Sequence, residues 1–540
     1  MKLEDANVQL ENFSKELFTQ FLEMNPQSGS SLGLHEYDGK IPDVTKEAIE
    51  KDLNKMKALQ IKLSEIEYDD LNPKNKFDHN ISSWALSSGF FEIELMQGHK
   101  KNPMFYAFMF SDLHSYISRD YAPFEERLSS VIAIMNRIAA TLKSAEENLD
   151  KELPEVLCKY AIQFSLGYEN FFKGEMLDLI KAKVNDKKII DQYINSSNNA
   201  VEAFKNYIKF LEGASSAKNE SYRLGKEKFA KMLSIKEQIN IPIEEIKRMG
   251  MEELERLQTE LKVILKENNF EDKLANIEQD HPNEKNLIDE TNRTLYELVE
   301  FIRSNNIVGI PEKLNCIITE MPKYMNFGFA AMGTAGPFEK SDESFYYVNL
   351  PENKWSEEKR EEWMTQYNYP TLKLISIHEA YPGHYTHFLN ANANSSDLAK
   401  LFMSYSYIEG WAHYTEEMML DEGYAKKDFK VKIGQLIEAL IRCCRLIVAI
   451  DIHCQKMPIE AAKNFFLKNA HMTETTALQE AERGAFDPGY LNYTLGKILL
   501  KKFKEKYFAK YRETKTLKDF HDTIVRLGAP TFRIAEEFVL

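Results

Sequence analysis

Histidines and glutamates are concentrated in two short stretches of this sequence. Residues 375–387 read ISIHEAYPGHYTH, and residues 407–416 read YIEGWAHYTE. Two imidazoles and a carboxylate are the ligands of many catalytic zinc sites, which keep a fourth position for water and use a second carboxylate to accept its proton. The two stretches therefore predict a hydrolytic metal site in this part of the chain.

The spacing of the first two histidines departs from the usual zinc helix, H-E-x-x-H, in which the ligands lie one turn apart. The residue four positions after His378 is Pro382, and the next histidine, His384, comes two residues later. On an unbroken helix the two imidazoles would be separated by a rotation of about 600° and would point apart. Pro382 and Gly383 predict a local break that brings His384 round to the metal, with His387 as an alternative second ligand.

The motif H-E-A-Y-P-G-H, followed by E-G-W-A-H-Y-T-E, resembles domain-of-unknown-function family 885. That family is similar to helical zinc peptidases of the angiotensin-converting-enzyme and thermostable carboxypeptidase type, whose third ligand is a glutamate further along the chain. The resemblance implies that His378, His384 and Glu409 bind zinc. It also implies that Glu379 is the general base and that Glu416 contacts a ligand side chain without binding the metal itself.

Two residues of the second stretch also have simpler explanations. Glu409 could be an acid at the start of a helix, where the helix dipole favours negative charge. His413 follows Glu409 by four residues and shares its helix face. The family usually has an apolar residue at that position, so we expect His413 to support the ligands at most, and we expect Trp411 in the core.

Residues 480–497 (EAERGAFDPGYLNYTLGK) resemble a further signature of the same family. A peptidase needs a donor for the oxyanion of its tetrahedral intermediate, a role that a tyrosine hydroxyl fills, and Tyr490 and Tyr493 are the candidates. An exopeptidase also needs a cation for the terminal carboxylate, and Arg483 offers a bidentate fork. A buried Arg–Glu pair is the alternative for this arginine.

Residues 445–453 (RLIVAIDIH) match another family segment imperfectly, because Ala449 stands where the family has Asp and Asp451 where it has Gly. No role is therefore assigned to Asp451. His453 is a candidate for transition-state stabilisation. The alternative is a histidine near the end of a helix, favoured there by the dipole.

Small and β-prone residues precede the His378 helix. Residues 327–337 (FGFAAMGTAGP) are rich in glycine and alanine, and residues 344–350 (SFYYVNL) favour a strand, so we expect two short strands. In the similar peptidases an edge strand beside the zinc helix pairs with the substrate backbone, and Ala331 and Gly333 would leave room for it. A purely structural hairpin is the alternative.

A loop near the N-terminus, residues 33–43 (GLHEYDGKIPD), also resembles a family signature. Its histidine, His35, has two interpretations. One is a functional residue, and the other is a loop histidine with local hydrogen bonds.

The composition argues against several functional classes. The net charge of −15 argues against nucleic-acid binding, which requires a basic surface. Five cysteines without a C-x-x-C hook predict buried free thiols in a reducing compartment. The sequence has no signal-peptide core at its start and no apolar run long enough to span a bilayer, so we expect a cytoplasmic protein without a membrane segment.

Together, these observations predict a mainly α-helical, bilobed, zincin-like peptidase fold around a deep cleft, with a small β element next to the metal-site helix. One catalytic unit would have lobes at residues 1–310 and 311–540. The expected function is zinc-dependent hydrolysis of short peptides, as a carboxypeptidase or oligopeptidase, by Glu-assisted attack of a zinc-bound water. The alternatives are an inactive helical scaffold that retains the motif and a zinc hydrolase of non-peptide amides.

Overall fold

Helices dominate the computed structural model, which describes residues 5–271, 273–321, 329–352, 354–511 and 514–540. The structure is 72% helical and its sheets are small, which confirms the mainly α class. Over the described ranges, every helix is too short or too polar to cross a lipid bilayer. The zincin-like detail of the expected fold stays a prediction.

The described chain divides into two compact units. Unit 1 comprises residues 5–223 together with the loop Ala335–Asp342, and unit 2 comprises the remaining described residues from Leu224 to Leu540. The expected single catalytic unit, with lobes on either side of residue 310 and a cleft, stays a prediction.

Several helices of unit 1 begin directly after a polar N-cap residue. Side chains of Asp5, Thr45 and Asn72 each accept a hydrogen bond from a first-turn N–H, which satisfies a donor that the helix itself leaves open. The helices are α1 (Ala6–Met24), α2 (Pro26–Ser31), α3 (Lys46–Ser64), α4 (Pro73–Phe90), α5 (Gly98–Lys101), α6 (Met104–Phe108), α7 (Ser115–Ser118), α8 (Phe124–Asn148), α9 (Glu155–Asn170), α10 (Met176–Lys183) and α11 (Lys187–Ala214). Two short parallel strands, β1 (Leu153–Pro154) and β2 (Ser215–Ser216), precede α9 and follow α11.

Unit 2 is organised around one long buried helix. Its helices are α12 (Gly225–Lys236), α13 (Ile243–Glu267), α14 (Ala275–Glu278), α15 (Leu287–Ser304), α16 (Glu357–Met364), α17 (Tyr369–Glu379), α18 (His384–Asn394), α19 (Asp397–Leu401), α20 (Tyr405–Asp421), α21 (Phe429–Gln455), α22 (Ile459–Asn469), α23 (Glu474–Phe486), α24 (Asn492–Tyr511), α25 (Leu517–Arg526) and α26 (Phe532–Val539). The apolar residues of α21 are almost all buried, because α13, α17, α22, α23 and α24 pack around it.

A three-stranded sheet precedes α17, the helix that carries His378. Its strands β3 (Cys316–Glu320), β4 (Ala330–Gly333) and β5 (Ser344–Val348) lie in the order β3-β5-β4. The central strand, β5, is buried throughout, parallel to β3 and antiparallel to β4, and β4 lies at the edge in contact with α17. The two expected strands correspond to β4 and β5, and β3 is an addition. Phe327 and Gly328, which begin the stretch expected to form the first strand, lie outside the described residues.

The helix expected around His378 is interrupted at the Pro-Gly pair, as the sequence predicts. α17 ends at Glu379 and α18 begins at His384. Between them, Gly383 lies tightly against the end of α17, where an added Cβ would come within 1.7 Å of the carbonyl oxygen of His378. Only a residue without a Cβ fits at this distance, so the geometry of the break depends on glycine.

α20 and α24 cross in backbone contact at a pair of glycines. A Cβ on Gly410 would lie 2.5 Å from the carbonyl carbon of Gly496, and a Cβ on Gly496 would lie 2.0 Å from the carbonyl oxygen of Ser406. Gly410 directly follows Glu409, and Gly496 comes three residues after Tyr493. The close crossing therefore determines how near these two site residues come to each other.

Candidate metal centre

The structure brings together the three side chains that the resemblance implies as ligands. Oε2 of Glu409 lies 3.4 Å from Nε2 of His378 and 3.5 Å from Nε2 of His384. The two imidazole rings are perpendicular, with centroids 4.8 Å apart. Ligand atoms of His378, Glu379 and His384 all lie within 4.8 Å of one another, so the carboxylate implied as the general base belongs to the same cluster.

The separations in this cluster fit a metal ion. Ligand atoms bound tetrahedrally to zinc at bond lengths of 2.0–2.1 Å are about 3.3 Å apart, close to the two measured distances. Oε2 of Glu409 is buried and accepts no hydrogen bond from any described residue, although buried carboxylate oxygens are normally paired. An oxygen left in this state between two imidazole nitrogens is suited to binding a cation.

The electrostatics of the cluster favour positive charge. Burial lowers the pKa of His378, but the nearby carboxylates of Glu409 and Glu416 outweigh burial and raise the pKa to about 9. Burial raises the pKa of Glu409, but the two imidazoles outweigh it and hold the carboxyl well below its usual range. Carboxylates that hold a proton on His378 would equally attract a divalent cation.

Glu416 lies on the far side of His378 from Glu409. Its Oε1 accepts a hydrogen bond from Nδ1 of His378 at 2.7 Å, which orients the imidazole so that Nε2 faces the cluster. The carboxylate is fully buried and also contacts Nδ1 of His413 at 3.2 Å and Nη2 of Arg442 at 3.3 Å. Both residues expected to support the ligands, Glu416 and His413, therefore lie behind His378.

His387 points elsewhere. Its Nε2 lies 2.8 Å from the carbonyl oxygen of Gly528, and its ring stacks on Phe388. Burial lowers the pKa of this imidazole to about 4, so it is neutral and donates to the carbonyl. Of the two histidines that the sequence left as alternatives, His384 is the one that faces Glu409.

Trp411 of α20 forms a hydrogen bond to the turn between α17 and α18. Its indole Nε1–H donates to the carbonyl oxygen of Pro382 at 3.0 Å, and the ring is fully buried, as expected of a core residue. This bond ties the helix that carries Glu409 to the turn that precedes His384. The E-G-W-A motif thus supplies a candidate ligand, a glycine at the helix crossing and this hydrogen bond within three residues.

The two candidate tyrosines occupy different surroundings. The ring of Tyr493 stacks on His378 with centroids 6.3 Å apart, and its hydroxyl lies 3.5 Å from Nη2 of Arg483. Tyr490 is fully buried with its hydroxyl packed near Gly484 of α23. Of the two, Tyr493 is therefore the one beside the cluster.

Arg483 and His453 make contacts that the sequence could not specify. Arg483 lies near Tyr493 and forms an ion pair with Asp487 at 3.0 Å. The carboxylate that pairs with it is therefore an aspartate, where the alternative expected a glutamate. The arginine side chain as a whole is 30% exposed. Nε2 of His453 lies 2.8 Å from the carbonyl oxygen of Gly484, which holds this imidazole against α23.

Ala331 and Gly333, expected to contact substrate, lie on the edge strand β4. A Cβ on Gly333 would meet the ring of Tyr347 at 3.0 Å. Packing against this neighbour on β5 is therefore enough to explain why a glycine stands here. Pairing of β4 with a substrate backbone would require β4 to lie beside α17, and it does.

The arginines of α21 contribute to the site, although no motif of the sequence pointed to them. The guanidinium carbons of Arg442 and Arg445 lie 6.0 and 5.1 Å from the centre of the Tyr493 ring, and that of Arg483 lies 5.7 Å away. Arg445 forms a bidentate pair with Glu480, both bonds being 2.7 Å. Two arginines three residues apart in the mostly apolar segment 436–450 were the available signal, since buried cations require partners.

A second charged cluster adjoins the candidate metal-ligand cluster on α20. Glu417 is paired with the fully buried Lys497 of α24 and with Lys501 at 2.7 Å. Lys497 also contacts Glu253 at 3.4 Å. We call these residues the lysine cluster. It neighbours the metal-ligand cluster because Glu416 and Glu417 are consecutive.

Residues 26–539 match the family described as "Bacterial protein of unknown function (DUF885)". A solved structure of a candidate lipoprotein of unknown function from Shewanella oneidensis is 24% identical, with a TM-score of 0.79 over 98% of this chain and 99% of that one. A candidate lipoprotein from Colwellia psychrerythraea is 15% identical, with a TM-score of 0.83 over 99% of each chain. At these identities the two structures show a shared fold alone. No curated protein matches the chain.

Proposed function

We propose that this chain, which belongs to the DUF885 family of bacterial proteins of unknown function, is a zinc-dependent hydrolase of peptide bonds. The observation that supports this most strongly is the meeting of His378, His384 and Glu409 at ligand-atom distances of 3.4 and 3.5 Å. Such distances and residue types are those of catalytic zinc sites that leave one position open. The likeness of the two motifs to those of helical zinc peptidases points to peptides as substrates.

The chain's own residues supply the remaining chemistry. A bound zinc ion would polarise the scissile carbonyl and lower the pKa of a water molecule towards neutrality. Glu379 would take the proton from the attacking water and pass it to the leaving amine. The hydroxyl of Tyr493 would donate to the oxyanion. Burial raises the pKa of this phenol, and the nearby Glu409 carboxylate adds to the effect, so the hydroxyl keeps its proton at neutral pH.

Two features favour short peptides with a free carboxyl end. β4 is an edge strand, the kind of element to which an extended substrate can add, and it lies beside the helix of His378. The guanidinium of Arg483, which lies next to Tyr493 on a partly exposed side chain, would bind the terminal carboxylate in competition with Asp487. The proposed activity is that of a carboxypeptidase or oligopeptidase.

The test combines metal analysis with peptide hydrolysis. The purified wild-type protein is expected to carry stoichiometric zinc and to cleave unblocked short peptides more readily than the same peptides with amidated C-termini. Glu379→Gln keeps the ligands and removes the base, so it should retain zinc and lose activity by about 10²–10⁴-fold. His384→Ala should lose both zinc and activity.

His387→Gln is the matched control for His384→Ala. A glutamine amide can still donate to the carbonyl of Gly528, which is the contact that His387 makes in place of facing Glu409. Zinc content and activity are expected to be close to those of the wild type. Wild-type protein that carries zinc but cleaves no peptide would favour the inactive scaffold or a hydrolase of non-peptide amides, and protein that binds no zinc would refute the proposal.

A further inference from the structure

Two arginines beside the ring of Tyr493 have carboxylate partners that they bind in different ways. Arg445 and Glu480 form a bidentate pair, in which two nitrogens donate to two separate oxygens at 2.7 Å each. Arg483 binds a single oxygen of Asp487, because its Nε and Nη2 both donate to Oδ2, at 3.1 and 3.0 Å. The first pair uses the full matching geometry of guanidinium and carboxylate, and the second pair does not.

The position of Asp487 also makes its pair the weaker one. Among the described residues, none donates a hydrogen bond to Oδ1 of Asp487. The side chains of Arg483 and Asp487 are 30% and 23% exposed, and ion pairs in contact with water contribute little to stability. Asp487 directly follows α23, at the end of the helix where the dipole disfavours an acid. Stabilisation of α23 therefore does not explain an aspartate here.

Tyr405 of α20 binds the same oxygen of Asp487 that Arg483 binds. Its hydroxyl donates to Oδ2 at 3.2 Å and accepts from Nη2 of Arg483 at 3.3 Å. Burial raises the pKa of Tyr405, and the neighbouring Tyr493 and Asp487 add to the effect, so the phenol keeps its proton and remains a donor. The ring lies edge-on to that of Tyr493, with centroids 5.8 Å apart. The three side chains thus form one closed network beside Tyr493.

The backbone of Asp487 is held independently of its carboxylate. Its N–H donates to the carbonyl of Arg483 at 2.9 Å, and its carbonyl accepts from the N–H of Tyr490 at 3.1 Å. Rotation of the side chain between staggered positions is therefore sufficient to move the carboxylate away from the guanidinium. Such a rotation leaves the end of α23 in place.

A substrate carboxylate on Arg483 would lie close to the proposed catalytic groups. In the substrate of a carboxypeptidase, the scissile carbonyl and the terminal carboxylate belong to consecutive residues, whose Cα atoms are about 3.8 Å apart. Nη2 of Arg483 lies 3.5 Å from the hydroxyl of Tyr493, the proposed oxyanion donor, and the Tyr493 ring stacks on His378. After cleavage, the released amino acid still carries the carboxylate that Arg483 would bind.

We propose that Asp487 is a specificity-determining residue that competes for Arg483 with the terminal carboxylate of the peptide and of the released amino acid. The proposal rests on the proposed function, whose site it describes further. An incoming carboxylate displaces Asp487 by forming a bidentate pair with Arg483, whereas an amidated terminus has no charge with which to do so. When the product dissociates, Asp487 and Tyr405 regain their contacts with Arg483. The competition thereby limits the affinity for the product.

Binding to a variant without the proposed base measures this competition separately from hydrolysis. Calorimetry with the Glu379→Gln protein uses two probes, trialanine and trialanine amide, which differ in the charge of the C-terminus. Addition of Asp487→Asn removes the competing charge. It should lower the Kd of trialanine by about three- to tenfold and change that of the amide by less than about twofold. Free alanine, which represents the product, should also bind more tightly.

Glu474→Gln is the matched control, because it removes an exposed acid from the first turn of the same helix. It should leave both Kd values unchanged. Tyr405→Phe removes one bond that holds Asp487 and should tighten trialanine binding by less than Asp487→Asn does. This variant serves as the test if Asp487→Asn fails to fold. In protein that retains Glu379, Asp487→Asn should lower KM and strengthen inhibition by free alanine.

Three results would overturn the proposal. They are a trialanine Kd that Asp487→Asn leaves unchanged, an equal gain in affinity for the amide, and no binding of trialanine by any variant. A lower unfolding midpoint of Asp487→Asn without the difference between acid and amide would assign the aspartate a structural role instead. Wild-type protein that cleaves no peptide, while its variants show that difference, would refute the proposed function and leave the competition standing. Hydrolysis without the difference would do the reverse.

Discussion

Glu416 and Glu417 are consecutive, nearly fully buried glutamates on α20 that face two different clusters. Glu416 accepts from the imidazole of His378, and Glu417 is paired with the amine of Lys497. An imidazole bound on one nitrogen still has a lone pair on the other, whereas an ammonium group has none. The difference teaches that the partner, and not the burial or charge of the glutamate, decides whether a buried carboxylate can serve a metal site.

The largest effect is expected from Glu417→Ala. It leaves the fully buried Lys497 with only the more distant Glu253 as a described carboxylate contact, and removing one partner of a buried ion pair costs about 3–5 kcal/mol. Denaturant unfolding should show this loss, while the folded fraction keeps its zinc. Glu227→Ala, which breaks an exposed pair with Lys231, is the control and should change the midpoint little. A variant as stable as the wild type would contradict the structural role of the lysine cluster.

Gly496→Ala tests the crossing that both clusters share. The new methyl group would meet the carbonyl oxygen of Ser406, so α20 and α24 must separate at a cost of about 1–3 kcal/mol. Both the free energy of unfolding and zinc affinity should fall, because Glu409 moves with α20. Gly167→Ala in α9, where a Cβ meets nothing within 4 Å, should instead raise stability by about 0.5–1 kcal/mol. Equal effects of the two substitutions would refute the close crossing.

Glu416→Gln tests the contribution of the other glutamate, the one bonded to His378. Loss of the carboxylate behind His378 should weaken zinc binding by about 10–100-fold, the usual effect of removing a partner of a metal-bound imidazole. Competition with a chromogenic chelator measures the affinity. Glu417→Gln is the matched control one residue away and should bind zinc as the wild type does. Equal losses in the two variants would mean that the clusters are not functionally distinct.

The smallest effect concerns acid stability. Burial raises the pKa of Glu417, but Lys497, Lys501 and Arg256 outweigh it and hold the carboxyl well below its usual range. A group whose pKa is lower in the folded than in the unfolded state, where it is about 4.3, stabilises the fold above that pH and loses the contribution as the pH falls. The unfolding free energy of the wild type should therefore decline below about pH 4.5 more steeply than that of Glu417→Gln. Parallel declines would contradict this assignment.

The cluster around His378 could be predicted because its members are close in the chain. Pro382 and Gly383 indicate the break locally, whereas Glu409, on the third helix after the break, was implied by the family resemblance. Choosing between Tyr490 and Tyr493 was beyond the sequence, since the short 3-10 turn Pro488–Leu491 meets α24 between them. Where that boundary falls decides which tyrosine ring lies against His378.

The lysine cluster could not be predicted, because its partners are far apart in sequence. Glu417 and Lys497 belong to α20 and α24, and nothing local to either residue identifies the other. The same holds for Arg445 and Glu480 on α21 and α23. β3 was missed for a related reason: its half-exposed residues gain their strand partner only from β5, further along the chain.

The bond from Trp411 to Pro382 gives the molecule an optical reporter. The chain has four tryptophans, and this one is fully buried with its indole N–H committed to the turn between the histidine-bearing helices. Any loosening of that turn would hydrate the indole and move its emission to longer wavelength. Fluorescence from a protein in which the other three tryptophans are replaced by phenylalanine would thus follow the assembly of the centre in real time, without a substrate.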